Sequence, residues 1–340
     1  MHNKSICKMH WIDLQPFMIK KCCTTGAYIK TKREKSIRSN FKCINWFQTS
    51  PMRKVSIVLF LLLNAIVNAQ VNTSFDISDK KKFELGVIDE LPSLILGEVR
   101  GLNIYLPEGY DANDTVTYPV IYLLDGGADE DFIHVVGIVQ FNNFPWIDQV
   151  PKSIVVGIIN VDRQRDFAYP TSILEDKKTW PATGGSEKFI GFIEKELQPY
   201  IEQTYRATKK RTLIGQSLGG LLATEILMKK PAMFANYIII SPSLWWDDGS
   251  LFNVSSDIFE ERFQHPTIIY IGVGKEGLTP GARPHVMEVD AHLLAEMIAN
   301  SKSSSVKVHL DYLAEEDHAT IGHQAVFNAF RVLNPKAGKK

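Results

Sequence analysis

A chain of 340 residues, 45% of them hydrophobic and 22% charged, is long and apolar enough to bury a core, which excludes intrinsic disorder of the whole chain. Its 38 Lys and Arg residues balance its 38 Asp and Glu residues, but the charges are unevenly placed. Residues 1–69 hold 12 basic and 2 acidic residues, so residues 70–340 carry a net charge of −10. This acidic part has no basic stripe, and we therefore expect no nucleic-acid partner.

The first interpretable segment in chain order is 52–69. The basic sequence Met52-Arg53-Lys54 precedes an apolar run over 55–63, and slim residues lead to an expected cleavage point after Ala69. These are the three parts of a secretory signal peptide. The whole apolar stretch, 55–67, is 13 residues long. Because a membrane-spanning helix needs ~20 apolar residues, we expect no stable membrane anchor.

The position of this signal predicts how the chain is organised. A signal peptide begins near the start of a protein, so we interpret Met52 as the native initiator and residues 1–51 as a non-native upstream extension; a genuine basic tail is the alternative. Residues 70–340 contain no repeat, no Pro/Gly/Ser-rich linker and no cysteine. We therefore expect a single secreted or periplasmic domain over 70–340, without a disulfide framework or a cysteine-ligated metal.

Within 70–340 the hydrophobic pattern changes from extended segments to alternating strands and helices. Two alternating segments, 83–88 and 98–106, predict strands with one exposed face. Continuously apolar runs predict buried strands over 120–124, 154–159, 212–214, 237–240 and 267–273, and a more alternating segment predicts a further strand over 306–313. Helical spacing predicts helices over 187–200, 218–229, 286–300 and 325–333. The expected fold is α/β, with a mostly parallel central sheet, helices on both faces and an antiparallel N-terminal start.

One motif in this pattern indicates chemistry. The sequence Gly215-Gln216-Ser217-Leu218-Gly219 follows an apolar run and opens a helical pattern, which is the context of a nucleophile elbow. Such a turn is so tight that the residues two before and two after the serine must lack side chains. Ser217 is therefore the predicted nucleophile, and a glycine-rich helix entry without chemistry is the alternative.

A serine nucleophile needs a base and an acid that orients it, in the chain order serine, acid, histidine. His318 is the predicted base, because it lies between the last predicted strand and the last predicted helix; His323 is its main rival. Glu276 follows a buried strand at its carboxyl end and is the predicted acid. Asp247 and Asp248 are the alternatives, as is a Ser–His dyad alone.

The oxyanion of the reaction needs two N–H donors. Leu218, directly after the nucleophile, is predicted to supply one, and Gly127, after the strand at 120–124, to supply the second. The alternative for Gly127 is a simple turn. Trp245 and Trp246 are predicted to form a wall for the substrate, although core packing accounts for them equally well.

Two arginines near the predicted site also need an interpretation. Arg163 and Arg165 could hold an anionic part of the substrate, and pairing with Asp162 and Asp166 is the alternative that the sequence favours. The histidines and carboxylates lack convincing metal spacing, so we expect no metal and no cofactor. The oligomeric state does not follow from the sequence.

Taken as a set, the motifs resemble a known family over residues 96–333. The chain is similar to the putative-esterase (esterase D-like) branch of the α/β-hydrolases, and most of all to its ferric-siderophore esterase-like bacterial members. The motifs that carry the resemblance are Tyr118-Pro119-Val120-Ile121-Tyr122-Leu123-Leu124-Asp125-Gly126, Asp162-Arg163-Gln164-Arg165-Asp166-Phe167, Gly215-Gln216-Ser217-Leu218-Gly219-Gly220, Ser241-Pro242-Ser243-Leu244-Trp245-Trp246 and Glu316-Asp317-His318. The resemblance implies an α/β-hydrolase fold and ester hydrolysis, with Ser217 as nucleophile and His318 as base. The acid is where the family varies.

These observations together predict a serine esterase that works through an acyl-enzyme on a small ester. The substrate could be an acylated sugar, a feruloyl ester or a siderophore-type ester, because the same family includes all of these specificities. Two alternatives stay open at this point. One is an acyltransferase that uses the same serine, and the other is a catalytically silent binding protein with the same fold.

Overall fold

The central feature of the computed structural model, which describes residues 82–281 and 283–336, is an eight-stranded sheet. Its strands are β1 (Val87–Ser93), β2 (Glu98–Tyr105), β3 (Tyr118–Leu123), β4 (Ile154–Ile158), β5 (Ala207–Gln216), β6 (Asn236–Ile240), β7 (Thr267–Gly274) and β8 (Val306–Leu313). Their order in the sheet is β1-β2-β4-β3-β5-β6-β7-β8. The predicted segments 1–51 and 52–69 lie outside the described residues, so their assignment stays a prediction.

The direction of the strands follows the pattern in the sequence. The pairs β1–β2 and β2–β4 are antiparallel, and every later pair from β3 to β8 is parallel. The five residues of β4 and the five of β6 are all buried, as expected for strands covered on both faces. The predicted α/β-hydrolase fold, mostly parallel with an antiparallel start, is confirmed.

Helices cover both faces of this sheet. They are α1 (Phe132–Asn142), α2 (Arg163–Phe167), α3 (Leu174–Thr179), α4 (Ser186–Phe192), α5 (Gln198–Thr204), α6 (Leu218–Lys229), α7 (Met287–Ala299) and α8 (Ile321–Leu333). A π-helical turn, Ile193–Leu197, joins α4 to α5, and short 3-10 segments occupy Pro231–Met233, Trp246–Asn253 and Asp257–Phe259. Helices α1 and α8 pack into one buried apolar cluster, whereas α4 to α7 pack into the other. The two clusters lie on opposite faces, because alternate side chains of β3 belong to each of them.

One predicted strand had the wrong bounds, and three helices, α1, α2 and α3, were not predicted. The first strand is Val87–Ser93 and not 83–88, because β1 pairs with β2 from Val87 onward at the edge of the sheet. Helix α1 was not predicted at all. Its buried residues recur at helical spacing, but exposed apolar residues such as Ile133 fill the gaps and hide the period. Among the described residues, no helix is both long and apolar enough to cross a bilayer.

Candidate active site

Ser217 lies on a sharp turn between β5 and α6. Its backbone is in the left-handed region, with φ 60° and ψ −120°. A Cβ atom added to Gly215 would lie 2.3 Å from the carbonyl oxygen of Gly219, so this turn cannot close with a larger residue at position 215. The Ser217 N–H donates to the carbonyl oxygen of Ile240 at 3.0 Å, which ties the turn to β6. The local sequence therefore presents the Ser217 hydroxyl at the carboxyl edge of the sheet.

A chain of hydrogen bonds runs from this hydroxyl through His318 to Glu276. Ser217 Oγ lies 3.0 Å from His318 Nε2. On the other side of the ring, His318 Nδ1 lies 2.6 Å from Glu276 Oε2. The three predicted residues thus come together from the ends of β5 and β7 and from the loop between β8 and α8. This is the arrangement that activates a serine hydroxyl by a base held in one orientation.

The carboxylate of Glu276 is nearly buried, with 2% of its side chain exposed. Its second oxygen accepts hydrogen bonds from the Ser241 hydroxyl and from the Gly274 N–H. Burial acts to raise the pKa of Glu276, but the hydrogen bonds from His318 and Ser241 outweigh it, so the pKa lies below its ordinary value. Glu276 is therefore held ionised, in the form that accepts the His318 Nδ1 proton.

Backbone contacts hold the loops that carry His318 and Glu276. Gln216, the residue before the nucleophile, donates through Nε2 to the carbonyl oxygen of His318 at 2.6 Å. The N–H of Lys275 donates to the carbonyl oxygen of Glu316 at 2.8 Å, which joins the loop after β7 to the loop after β8. The positions of base and acid are thus fixed relative to each other and to the elbow.

The rival acids and the rival base make other contacts, although His323 lines the same cavity as Ser217. Asp247 accepts hydrogen bonds from Thr171 and Ser172. Asp248 pairs with Arg283 and lies 3.4 Å from His285 Nε2. The ring of His323 faces His134, with centroids 5.9 Å apart. The structure brings Glu276 and His318 to Ser217 and places these alternatives in other contacts.

The two predicted oxyanion donors differ in their surroundings. Leu218 begins α6 directly after Ser217, so its N–H lies at the positive end of the helix. The N–H of Gly127, in contrast, donates to Glu130 Oε2 at 2.8 Å. In this conformation Gly127 is therefore not the free donor that the sequence predicted. Its neighbour Gly126 packs against β4, where an added Cβ would lie 2.3 Å from the Cα of Gly157.

Two cavities meet at Ser217. The first, which we call the open cleft, has a volume of about 500 Å³ and is lined by Ser217 and His318 together with acidic residues and Arg163. The second, which we call the tryptophan pocket, has a volume of about 150 Å³. Its lining includes Ser217, Leu218 and the indoles of Trp180, Trp245 and Trp246.

A third tryptophan, Trp180, lines the pocket together with the predicted Trp245 and Trp246. Trp245 and Trp246 are buried, yet both line the pocket beside the nucleophile. The two rings therefore pack in the core and also form part of the pocket wall. The indole N–H of Trp246 donates to the carbonyl oxygen of Tyr169 at 2.8 Å, which fixes that ring. Trp180 packs against both, with ring centroids 5.4 Å from Trp245 and 5.8 Å from Trp246. Trp180 lies in a loop without a recognisable motif, so sequence reasoning missed it.

The contacts of Arg163 and Arg165 differ in part from those predicted. Arg163 pairs with Asp125 and not with Asp162, through bonds of 2.6 and 2.9 Å, and it lines both cavities. Arg165 does not line either cavity. Its guanidinium is bound by Asp166 and Glu98, each at 2.7 Å, so the structure does not support a role for it in substrate binding. The predicted ion pair between Arg165 and Asp166 is present.

A metal centre finds no support in the described part of the chain. Among residues 82–281 and 283–336, no group of three or more His, Cys, Asp or Glu side chains is placed to hold a metal ion. The site as described consists of hydrogen-bonding side chains, backbone N–H groups and aromatic walls.

Comparison with known proteins agrees with this geometry. The family described as putative esterase matches residues 93–312. The chain is 29% identical over 258 residues to the ferri-bacillibactin esterase BesA of Bacillus subtilis, covering 70% of this chain and 86% of that protein. It is similar to an IroE-like serine hydrolase from Shewanella oneidensis, with 30% identity, a TM-score of 0.64 and coverage of 73% of this chain and 80% of that one. It is also similar to the BES protein from Bacillus cereus, with 28% identity, a TM-score of 0.61 and coverage of 75% and 98%. The resemblance that the motifs indicated is thereby confirmed, and the chain belongs to the putative esterase family and is an esterase.

Proposed function

We propose that this esterase hydrolyses its substrate through an acyl-enzyme formed on Ser217, with His318 as the general base and Glu276 as the acid that orients it. The observation that carries the proposal is the unbroken chain of hydrogen bonds from Ser217 Oγ through the His318 ring to Glu276. A serine hydroxyl is a weak nucleophile at its ordinary pKa, and this arrangement is what activates it.

The first half of the reaction forms the acyl-enzyme. Ser217 Oγ attacks the ester carbonyl carbon while its proton moves to His318 Nε2, and Glu276 stabilises the resulting imidazolium through Nδ1. The negative charge that develops on the carbonyl oxygen is stabilised by the Leu218 N–H. When the carbon–oxygen bond to the alcohol breaks, His318 Nε2 gives its proton to the departing alkoxide. In the second half, a water molecule replaces the alcohol and the same transfers run in reverse order, releasing the acid.

Arg163 is our candidate for the second contribution to the oxyanion, in place of Gly127. Its guanidinium lines both cavities at Ser217, and its Nη2 lies 3.3 Å from the carbonyl oxygen of Gln216, the residue before the nucleophile. Pairing with Asp125 fixes the plane of the guanidinium. A fixed cation at this position is suited to stabilise developing negative charge without reorganisation.

The substrate we propose is a small ester of the siderophore type, with acylated sugars and feruloyl esters as the competing classes. Relatives named as siderophore esterases support this choice, among them the ferri-bacillibactin esterase of Bacillus subtilis. An open cleft of about 500 Å³ is also in the range of small-molecule sites. We further propose that the protein is secreted or periplasmic through the signal peptide 52–69, a segment outside the described residues.

The proposal is tested with purified protein over residues 70–340 and a panel of a siderophore lactone, a feruloyl ester, an acetylated sugar and para-nitrophenyl acetate. Ser217→Ala should abolish turnover and labelling by a fluorophosphonate probe while leaving the circular dichroism spectrum unchanged. Ser304→Ala is the matched control, because Ser304 is exposed and precedes β8, away from the carboxyl edge of the sheet.

Each competing hypothesis has its own readout in this experiment. An acyltransferase would be labelled by the probe but would give ester products when glycerol or a sugar is added as acceptor. A silent binding protein would neither turn over nor be labelled. Ser217→Ala protein that kept most of the wild-type activity would contradict the assignment of the nucleophile.

A further inference from the structure

Ser217 lies at the boundary between two cavities of opposite chemistry. The tryptophan pocket is lined mainly by three indoles, whereas the lining of the open cleft includes three carboxylates and three imidazoles, and Arg163 lines both cavities. An ester also has two unlike halves, an acyl group and an alcohol, which extend in different directions from the carbonyl carbon that the serine attacks. The two cavities are therefore able to receive the two halves separately.

The position of His318 decides which half enters which cavity. His318 lines the open cleft and is absent from the lining of the tryptophan pocket. In the proposed mechanism the same ring protonates the departing alkoxide, so the alcohol oxygen must lie on the side of His318. Leu218, whose N–H stabilises the carbonyl oxygen, lines the tryptophan pocket. Because the alcohol lies on the side of His318, in the open cleft, the acyl group is left to extend into the other cavity at Ser217, the tryptophan pocket.

The size and lining of the tryptophan pocket limit the acyl group. A volume of about 150 Å³ is comparable with cavities that bind a single benzene ring. Trp180 forms tilted and edge-on contacts with Trp245 and Trp246, which leaves flat apolar surface for a ring or a short unsaturated chain. A compact apolar acyl group fits this pocket. A charged one would lose its hydration there beside a single guanidinium, that of Arg163, which is already paired with Asp125.

The open cleft has the opposite character. The guanidinium of Arg163 in its lining is already paired with Asp125. His134 also lines the cleft, with Nε2 3.4 Å from Asp131 Oδ1, but burial lowers the pKa of His134 and favours its neutral form. Glu130 and Asp131 therefore contribute negative charge that no cation in the lining balances. Burial raises the pKa of Asp131 to about 6, with smaller contributions from the neighbouring carboxylates of Asp125 and Glu130, so Asp131 is largely ionised above that pH. An alcohol that carries a positive charge is attracted to this lining, and an anionic alcohol is repelled.

We propose that the preferred substrate joins a compact apolar or aromatic acyl group, bound in the tryptophan pocket, to a polar alcohol that is neutral or cationic, bound in the open cleft. This inference rests on the proposed serine mechanism, because the direction of the ester is derived from the role of His318. It selects among siderophore-type, feruloyl and sugar esters by the charge of the alcohol and the size of the acyl group.

The test uses two matched series of esters. In the acyl series, benzoylcholine is compared with acetylcholine. In the alcohol series, benzoylcholine is compared with its neutral tert-butyl isostere and with benzoyl isethionate, which carries a sulfonate in place of the ammonium. Values of kcat/KM are measured at low ionic strength and divided by the rate of alkaline hydrolysis of the same ester, which removes differences in intrinsic reactivity. Wild-type protein should prefer benzoyl to acetyl, and cation to neutral to anion.

The variants then assign each preference to one cavity. Trp180→Ala should lower the benzoyl-to-acetyl ratio by roughly 10-fold and leave the cation-to-anion ratio unchanged. Trp180→Leu, which keeps apolar volume and protects the fold, should give a smaller effect in the same direction. Asp131→Asn should lower the cation-to-anion ratio by about fivefold and leave the acyl ratio unchanged.

Controls of the same residue type lie outside both cavities. Trp146→Ala removes an exposed indole, and Asp129→Asn removes an exposed carboxylate from the loop that carries Asp131. Both should keep the wild-type ratios. If Trp180 governs alcohol charge and Asp131 governs acyl size, the ester binds in the reverse direction and the proposal is overturned. It is also overturned if neither variant changes either ratio. Wild-type protein that fails to cleave para-nitrophenyl acetate would instead contradict the serine mechanism itself, and the inference with it.

Discussion

The carboxylate of Glu276 is held by donors from three elements: His318 in the loop after β8, Ser241 after β6 and Gly274 at the end of β7. Replacing Glu276 with Gln keeps the size of the side chain but removes the charge and allows the amide to donate to His318 Nδ1. The ring would then carry its proton on the wrong nitrogen for accepting the proton of Ser217. We expect Glu276→Gln to lower kcat by about 100-fold or more with a small change in KM.

The control for that measurement is Asp248→Asn, which makes the same change of charge at a carboxylate paired with Arg283 and His285. It should keep kcat within about twofold of wild type, since surface ion pairs contribute little. Equal losses in the two variants would contradict the role of Glu276. Because the pKa of Glu276 is lowered in the folded protein, the pH dependence of the free energy of unfolding is a second measurement. Its contribution to folding is fully present above the ordinary pKa of a glutamate and is lost as the pH falls through the lowered value, so the difference from Glu276→Gln should fade on acidification.

At the same scale, the sequence indicated some side chains and could not indicate others. Ser217 follows from the spacing of the glycines, and Glu276 follows from its place at the carboxyl end of a strand. Gly127 failed as a free donor because a side chain three residues later, Glu130, binds its N–H. Arg163 forms its ion pair with Asp125, which is distant in the chain. The contact between Arg163 and Asp125 depends on the three-dimensional order of the strands, which residue spacing does not encode.

At the scale of elements, the turn between β5 and α6 determines whether Ser217 is presented. We expect Gly215→Ala to destabilise the fold by about 2 kcal/mol or more and to lower activity, because its added Cβ would lie 2.3 Å from backbone oxygen that has no room to move. Gly137→Ala is a matched control within α1, where an added Cβ meets no atom within 4 Å. It should stabilise the protein by about 0.5–1 kcal/mol. Urea unfolding of the two variants measures both effects, and equal destabilisation would contradict the steric argument.

The bounds of strands and helices were predicted best where they depend on local sequence and little on tertiary contacts. The strand at 306–313 and the helix at 218–229 have the predicted bounds, because alternation in the first and helical spacing in the second mark where each element lies. The strand at 212–214 is longer in the structure, Ala207–Gln216, since its exposed first half is stabilised by pairing with β3 and not by its own hydrophobicity. The order of β3 and β4 in the sheet depends on crossovers, which the hydrophobic pattern does not report.

At the scale of the whole molecule, the balanced charge of the chain is an average of two unlike parts. The described residues belong to the acidic part, which carries a net charge of −10 over 70–340, whereas the basic residues concentrate before the proposed cleavage point. The secretory machinery recognises a basic start followed by an apolar run, and it would export the acidic domain that follows. The separation of charge is therefore consistent with processing between Ala69 and Gln70.

Processing is tested by expressing the full chain in a Gram-negative host and sequencing the N-terminus of the exported protein. We expect the exported protein to begin at Gln70. The peptidase requires small residues at the first and third positions before the cut, so Ala69→Arg should block cleavage and leave the longer precursor with the membrane fraction. Asn68→Arg is the control, because the position between them accepts large side chains. Exported protein that retained residues 1–51 would contradict both the cleavage site and the interpretation of Met52 as the initiator.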